Sequence, residues 1–152
     1  MQFEVDTNTY MNITEADSII EAEFDSDSDE YKLWGQLDEQ GKQRLILQGT
    51  RLIDNLPFLG IRAKRYQSMA WPRKVYHKDV ECPYDVKLAI LKQTLKKKVE
   101  STKQESKLRE LGVKSYSIKD ASISFVSDPK NNKLGNGVYE DIYQEYLNKW
   151  VY

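Results

Sequence analysis

The chain has 152 residues, with 23 Lys and Arg against 24 Asp and Glu and a formal net charge of -1. This length supports one hydrophobic core, and the near-neutral balance excludes a strong overall field for holding a polyanion. No apolar run reaches the length of a bilayer span, the first residues do not resemble a secretory signal, and Cys82 is the only cysteine, so we expect a protein kept in a reducing cytoplasm.

The first half of the chain predicts two helices. Thr14 and Asp17 resemble a capping box, and apolar residues then recur at helical spacing, which predicts a helix over about residues 14–24. The polar residues 25–29 indicate a solvated loop. A second helix is expected from Asp38 to the break at Pro57, with Gly49 on its apolar face, where a glycine indicates close approach of another backbone.

The next segments are less regular. Residues 61–81 predict a short helix around Tyr66-Gln67 and then an irregular or extended crossing. Pro83 suits the first turn of a third helix, which after Val99 either continues into solvent or ends before Gly112. The buried face of this helix is marked by Val86, Ala89, Ile90, Leu95 and Val99.

The C-terminal third predicts a β-hairpin over 113–126, a linker over 127–137 and an amphipathic helix over 138–152. The expected fold class is therefore mainly α: a small helical bundle over 1–126 with a short β-hairpin at its end, and a C-terminal docking helix. A helix behind a linker needs a surface that buries its apolar face, so we expect this face to bind a partner. Its residues are Tyr139, Ile142, Tyr143, Tyr146, Leu147 and Trp150.

Few residues suggest catalysis or metal binding. His77, Asp79, Glu81 and Cys82 are of metal-ligand types, but one histidine with carboxylates in a polar connection is typical of a solvated loop. A Cys82–His77 nucleophile pair has no orienting group or oxyanion hole indicated beside it. We therefore predict no enzyme, no catalytic residues, no metal site and no cofactor.

A basic stretch from Lys92 to Lys107 is the clearest charge cluster that nucleic acid could use. Glu100, Glu105 and Glu110 interleave with its lysines, which favours a solvated helix face over a specific binding surface. Both interpretations stay open.

Four strings keep a characteristic order along the chain: residues 45–54, a Phe-x-Gly turn, a Gln-x-x-x-Trp-Pro-Arg string and Cys82-Pro83. This pattern, over roughly residues 10–126, resembles the head-tail connector or adaptor (neck) subunits of tailed bacteriophages. Some such sequences are also described as DnaT-like single-stranded DNA-binding proteins. The motif residues form a structural corner with no reacting group among them: Phe58, Gly60, Gln67, Trp71, Pro72 and Arg73.

The resemblance implies a structural virion protein whose copies form a ring, commonly of twelve subunits, at the head-tail interface. Expected partners are the portal protein, a stopper or tail-completion protein, and DNA that passes through the channel during packaging and ejection without sequence recognition. The alternative function is a single-stranded DNA-binding protein of a phage replication system.

Overall fold

The computed structural model describes residues 3–5, 7–110 and 137–152. The fold is mainly helical with a small antiparallel sheet, which confirms the predicted class. No helix in these ranges is long and apolar enough to cross a bilayer. The elements are α1 (Ile13–Glu23), α2 (Asp29–Gln36), α3 (Glu39–Ile53), β1 (Ile61–Arg62), β2 (Arg73–Val75), β3 (Lys78–Val80), α4 (Tyr84–Glu110) and α5 (Glu140–Ile142), which continues into a π-helical turn (Tyr143–Leu147) and a 3-10 turn (Asn148–Trp150).

Side-chain caps fix the starts of the first three helices. Asn12, Ser28 and Asp38 each accept a hydrogen bond from the backbone N–H three residues further on. Because Asn12 is the cap, α1 begins at Ile13 and not at the predicted Thr14. We did not predict α2. Its signal was Ser28 followed by two acidic residues, a cap with charges that suit the positive end of a helix dipole.

α4 is the central element, and it contacts α1, α2, α3 and the C-terminal helical segment. The predicted apolar face from Val86 to Val99 is buried in this core. The helix continues to Glu110, so the polar residues after Val99 stay helical. Lys, Gln and Glu are good helix formers, and Leu108 near the end of α4 is buried, so this part of the helix has both favourable propensity and a packing contact.

Gly49 lies where α3 and α4 are in close contact, as its position on the apolar face predicted. A Cβ at this position would lie 2.1 Å from Thr94 Oγ1 and 2.9 Å from the carbonyl oxygen of Ile90. The Ile90 oxygen belongs to the α4 backbone and cannot rotate away. Only glycine therefore lets the two helices pack at this distance.

Gly49→Ala should lower the free energy of unfolding by about 1–3 kcal/mol, although alanine is the better helix former, because the methyl group overpacks the α3–α4 contact. The matched control is Gly35→Ala in α2, where an added Cβ meets nothing within 4 Å. There the propensity of alanine should leave stability unchanged or raise it by up to about 1 kcal/mol. Urea titrations of both variants measure the difference, and equal stabilities would contradict the close-contact explanation.

Residues 61–80 form a three-stranded antiparallel sheet in the order β1-β2-β3, so the short helix predicted around Tyr66-Gln67 is wrong. Gly60 directly precedes β1 and has a φ of 77°, and a Cβ there would lie 1.9 Å from the carbonyl oxygen of Lys74. Strands of two or three residues are too short for alternation to be visible in a sequence.

The last helical segment packs on the core of this chain. Val138, Tyr139, Ile142, Leu147 and Val151 are all buried in the main hydrophobic cluster. The backbone also returns to the sheet region, because Leu59 N donates to Trp150 O and Tyr152 N donates to Pro57 O. The hairpin predicted over 113–126, and all of the predicted linker except Gly137, lie outside the described residues.

Candidate nucleic-acid interface

The six motif residues come together as one corner between α3 and the sheet. The guanidinium of Arg73 donates hydrogen bonds to four carbonyl oxygens, those of Phe58, Leu59, Gly60 and Ala70, at 2.8–3.2 Å. Burial, and then the neighbouring charge of Arg62, lower the pKa of Arg73. These four hydrogen bonds all go to the backbone, so Arg73 holds the corner and is not offered to a ligand.

Gln67 and Trp71 complete this corner. The Gln67 amide nitrogen donates to the carbonyl oxygens of Met69, Ala70 and Pro72 at 2.8–3.2 Å. Trp71 is 2% exposed, precedes a cis peptide bond to Pro72, and packs edge-on against the rings of Phe58 and Trp150 at centroid distances of 5.3 and 5.8 Å. The motif therefore builds a rigid structural corner.

Tyr10 and Asp54 also hold the loop that contains Ala70 and Trp71, through contacts that the sequence did not indicate. Tyr10 donates its hydroxyl proton to the Asp54 carboxylate and accepts a hydrogen bond from Trp71 N at 3.1 Å. Asp54 also accepts from Ala70 N. Burial, followed by the hydrogen bond to Asp54, raises the pKa of Tyr10 far above its ordinary value. The two residues are 44 positions apart, so no local pattern could pair them.

The six aromatic and apolar residues predicted to bind a partner lie against this chain instead. Tyr139, Ile142 and Leu147 are buried in its own core, and Tyr143, Tyr146 and Trp150 are partly buried against it. The Tyr139 hydroxyl donates a hydrogen bond to the Glu100 carboxylate at 2.5 Å. Burial is the larger cause that raises the pKa of Tyr139, and this hydrogen bond is the second. The prediction of a separate docking helix is corrected accordingly, because α4 provides the apolar surface that the segment required.

The lysines of α4 divide between two faces. Lys96 pairs with Asp141 and Lys103 pairs with Asp29, at 3.1 and 3.0 Å, while the Lys92 ammonium lies 5.2 Å from the rings of Phe24 and Tyr146. Lys97 and Lys98 are exposed and make no ion pair with any residue that the structure describes. The stretch is therefore not one continuous basic surface, and most of one face is already occupied by residues of the same chain.

The residues of metal-ligand type do not converge. His77 lies at the exposed tip of the β2–β3 hairpin, where both it and Tyr76 have positive φ. Cys82 is partly buried, and desolvation raises the pKa of its thiol. Within the described ranges there is no group of three or more His, Cys, Asp or Glu that could hold a metal ion.

A different surface concentrates exposed positive charge, and we call it the basic sheet surface. It belongs to a stretch, residues 55–78, that contains no Asp or Glu. Its exposed residues are Arg62, Lys64, Arg65, Lys74 and Lys78, with Tyr66 and Tyr76. We missed it in the sequence because the cations are spaced along the chain. The signal that would have revealed it is the absence of acidic residues over this stretch.

The sheet and its loops hold these residues outward. In the pairing register, Lys74 lies opposite Ile61 and Asp79, whereas Arg62 lies opposite Arg73 and Lys78 lies opposite Val75. Because successive side chains of a strand point to opposite faces, Lys74 is on one face of the sheet with Asp79, and Arg62 and Lys78 are on the other. Tyr66 is 88% exposed and Tyr76 is 83% exposed, and the Arg65 guanidinium lies 5.6 Å from the Tyr66 ring. Cations interleaved with exposed aromatic rings are the combination that binds the backbone and bases of single strands.

Comparison with known proteins places the chain in a family. The model of the family described as "Putative DnaT-like ssDNA binding protein" matches residues 2–126, which is most of the chain. The chain belongs to this family. Searches of curated proteins and of solved structures returned no match. The family match covers the whole basic sheet surface and the structural corner beside it.

This match corrects the expectation of a structural virion protein. The family is described by DNA binding, and the match gives no support to a head-tail connector, a neck or adaptor protein, portal binding, a ring oligomer or a part in virion assembly and DNA ejection. The resemblance misled because its motif, from Phe58 to Arg73, builds an internal corner. Such a motif identifies a fold, and it carries no information about an assembly interface. The expected partners and location stay predictions.

Proposed function

We propose that this protein binds single-stranded DNA on the basic sheet surface. The observation that carries the proposal is that five exposed cations and two almost fully exposed tyrosines belong to one small sheet and its loops, over a stretch of chain with no acidic residue from 55 to 78. The family description supports the same ligand. The net charge of -1 does not oppose it, because binding depends on the local surface more than on the total charge.

The geometry favours unpaired strands. Lys and Arg side chains neutralise phosphates and release counterions, which supplies affinity without reading sequence. Tyr66 and Tyr76 can stack only on bases whose faces are open, and a duplex hides those faces. Gln67 holds the loop that carries Arg65 and Tyr66, because its side chain accepts a hydrogen bond from Lys64 N and donates to the carbonyl oxygens of Met69 and Pro72, so little ordering is required on binding.

The proposal is tested by fluorescence anisotropy of a labelled oligothymidine against salt concentration, with a duplex of equal length for comparison. We expect log Kd to rise with log salt with a slope of about 0.7 for each phosphate neutralised, hence up to roughly 3.5 for five contacts. The duplex should bind more weakly, because it offers no stacking to the tyrosines. Absence of oligothymidine binding at low salt would refute the proposal, as would equal affinity for the duplex.

A further inference from the structure

A groove between α3 and α4 lies outside the basic sheet surface and shares no residue with it. Its volume is about 490 Å³, which falls in the range of roughly 300–1,000 Å³ typical of small-molecule sites. The floor is where Gly49 meets α4, and Gln93 and Thr94 there hydrogen-bond to Gly137 O and Ile90 O. Helices on both sides therefore hold the shape of the groove.

The charges of the groove select an anion. Arg51, Lys97 and Lys98 line it, and its lining contains no carboxylate. Lys97 and Lys98 make no ion pair within the part of the chain that is described, whereas Lys96 and Lys103 on the same helix pair with Asp141 and Asp29. An anionic group at the two lysines would gain charge-assisted hydrogen bonds without displacing a described carboxylate from them.

The rest of the wall suits a heterocycle and not a bare ion. Leu45 and Leu52 offer apolar surface, and the exposed Gln48 side chain makes no hydrogen bond within the described ranges. The Asn55 amide nitrogen donates to Arg51 O at 3.0 Å, which leaves its amide oxygen as an acceptor. Side-chain amides present a donor and an acceptor in one plane, the pattern that matches the edge of a base.

We propose that this groove binds a nucleotide unit, with its phosphate at Lys97 and Lys98 and its base against Leu52 and the amides. The bound unit can be a free nucleotide or one nucleotide of a DNA strand, because both present the same phosphate and base. This site is independent of the basic sheet surface, so either one can be present without the other.

The test is isothermal titration of the full chain with thymidine 5′-monophosphate and adenosine 5′-monophosphate, with inorganic phosphate as the anion-only probe. We expect at least one nucleotide to bind with a Kd below about 1 mM. The double variant Lys97→Gln/Lys98→Gln should weaken it by on the order of tenfold. The matched control, Lys103→Gln/Lys107→Gln, removes the same charge from the same helix and should leave nucleotide affinity unchanged.

Three results would overturn this assignment: no nucleotide binding by the unaltered chain, equal loss in both double variants, or phosphate binding as tight as nucleotide binding. Competition with oligothymidine then identifies the source. Displacement of the bound nucleotide, together with weaker oligothymidine binding by Lys97→Gln/Lys98→Gln, indicates a nucleotide of the strand. Simultaneous binding indicates a free nucleotide. A lack of nucleotide binding in the groove would leave the salt-dependent DNA binding at the basic sheet surface intact, so the two proposals can be refuted separately.

Discussion

Replacing the five exposed cations of the basic sheet surface by glutamine is expected to weaken single-stranded DNA binding by on the order of 10⁴-fold at about 50 mM salt. Each phosphate contact on a single strand contributes a salt slope of about 0.7, which at this salt concentration corresponds to roughly eightfold in affinity. The cations are exposed and make no contact in the core, so the fold should persist. The variant is Arg62, Lys64, Arg65, Lys74 and Lys78, all changed to Gln.

The control for this variant must carry the same net charge, because five lost cations lower the net charge of any protein. Five exposed cations elsewhere serve this purpose, and their replacement should reduce DNA affinity only weakly. They are Lys32, Arg44, Lys103, Lys107 and Lys149. Anisotropy measures both variants, and circular dichroism checks their folding. Similar losses in the two would show that total charge, and not this surface, determines binding.

The tyrosines of the same surface separate stacking from charge. Tyr66→Ala and Tyr76→Ala should each lower affinity by an amount that corresponds to about 1–3 kcal/mol for a stacked base, without changing the salt slope. Tyr66→Phe keeps the ring and should bind as tightly as the unaltered chain. A changed slope in Tyr66→Ala would indicate that the ring acts only by positioning Arg65, whose guanidinium lies 5.6 Å away.

Truncation after Asp128 is expected to abolish stable folding. The lost segment includes five buried apolar residues, from Val138 to Val151, and burial of one such side chain contributes about 1.5–3 kcal/mol. Their sum is comparable to the whole stability of a small domain, about 5–15 kcal/mol. The thermal unfolding transition seen by circular dichroism should disappear. A cooperative transition at an unchanged temperature would instead support a separate docking helix.

A milder variant tests the same point in a chain that still folds. Leu147→Ala should destabilise by about 2–5 kcal/mol, because Leu147 is fully buried against α4. Its matched control is Glu145→Ala in the same π-helical turn, where the side chain is exposed and the change should stay within about 0.5 kcal/mol. Urea titration measures both variants.

Local patterns were sufficient for much of the fold. The helical spacing of apolar residues located α1, α3 and α4, and Gly49 indicated the close helix contact that the structure contains. These features depend on residues within one or two helical turns, so a sequence reveals them directly. The motif from Phe58 to Arg73 likewise revealed a corner, although it misdirected the inference about function.

The amphipathic C-terminal face was visible in the sequence, but the surface that buries it was not. Its hydrogen-bonding neighbours on α4 are distant in the chain: Tyr139 bonds to Glu100, 39 positions away, and to Gln93, 46 positions away. The same limit applies to the DNA-binding surface. The absence of acidic residues over 55–78 was visible in the sequence, but only the tertiary structure shows that Arg62, Lys74 and Lys78 lie on three neighbouring short strands, with Lys64, Arg65 and Tyr66 in the connection between two of them. Charge and hydrophobicity are properties of residues, and a sequence determines them; which residues share a surface depends on contacts between distant segments, and only the tertiary structure decides that.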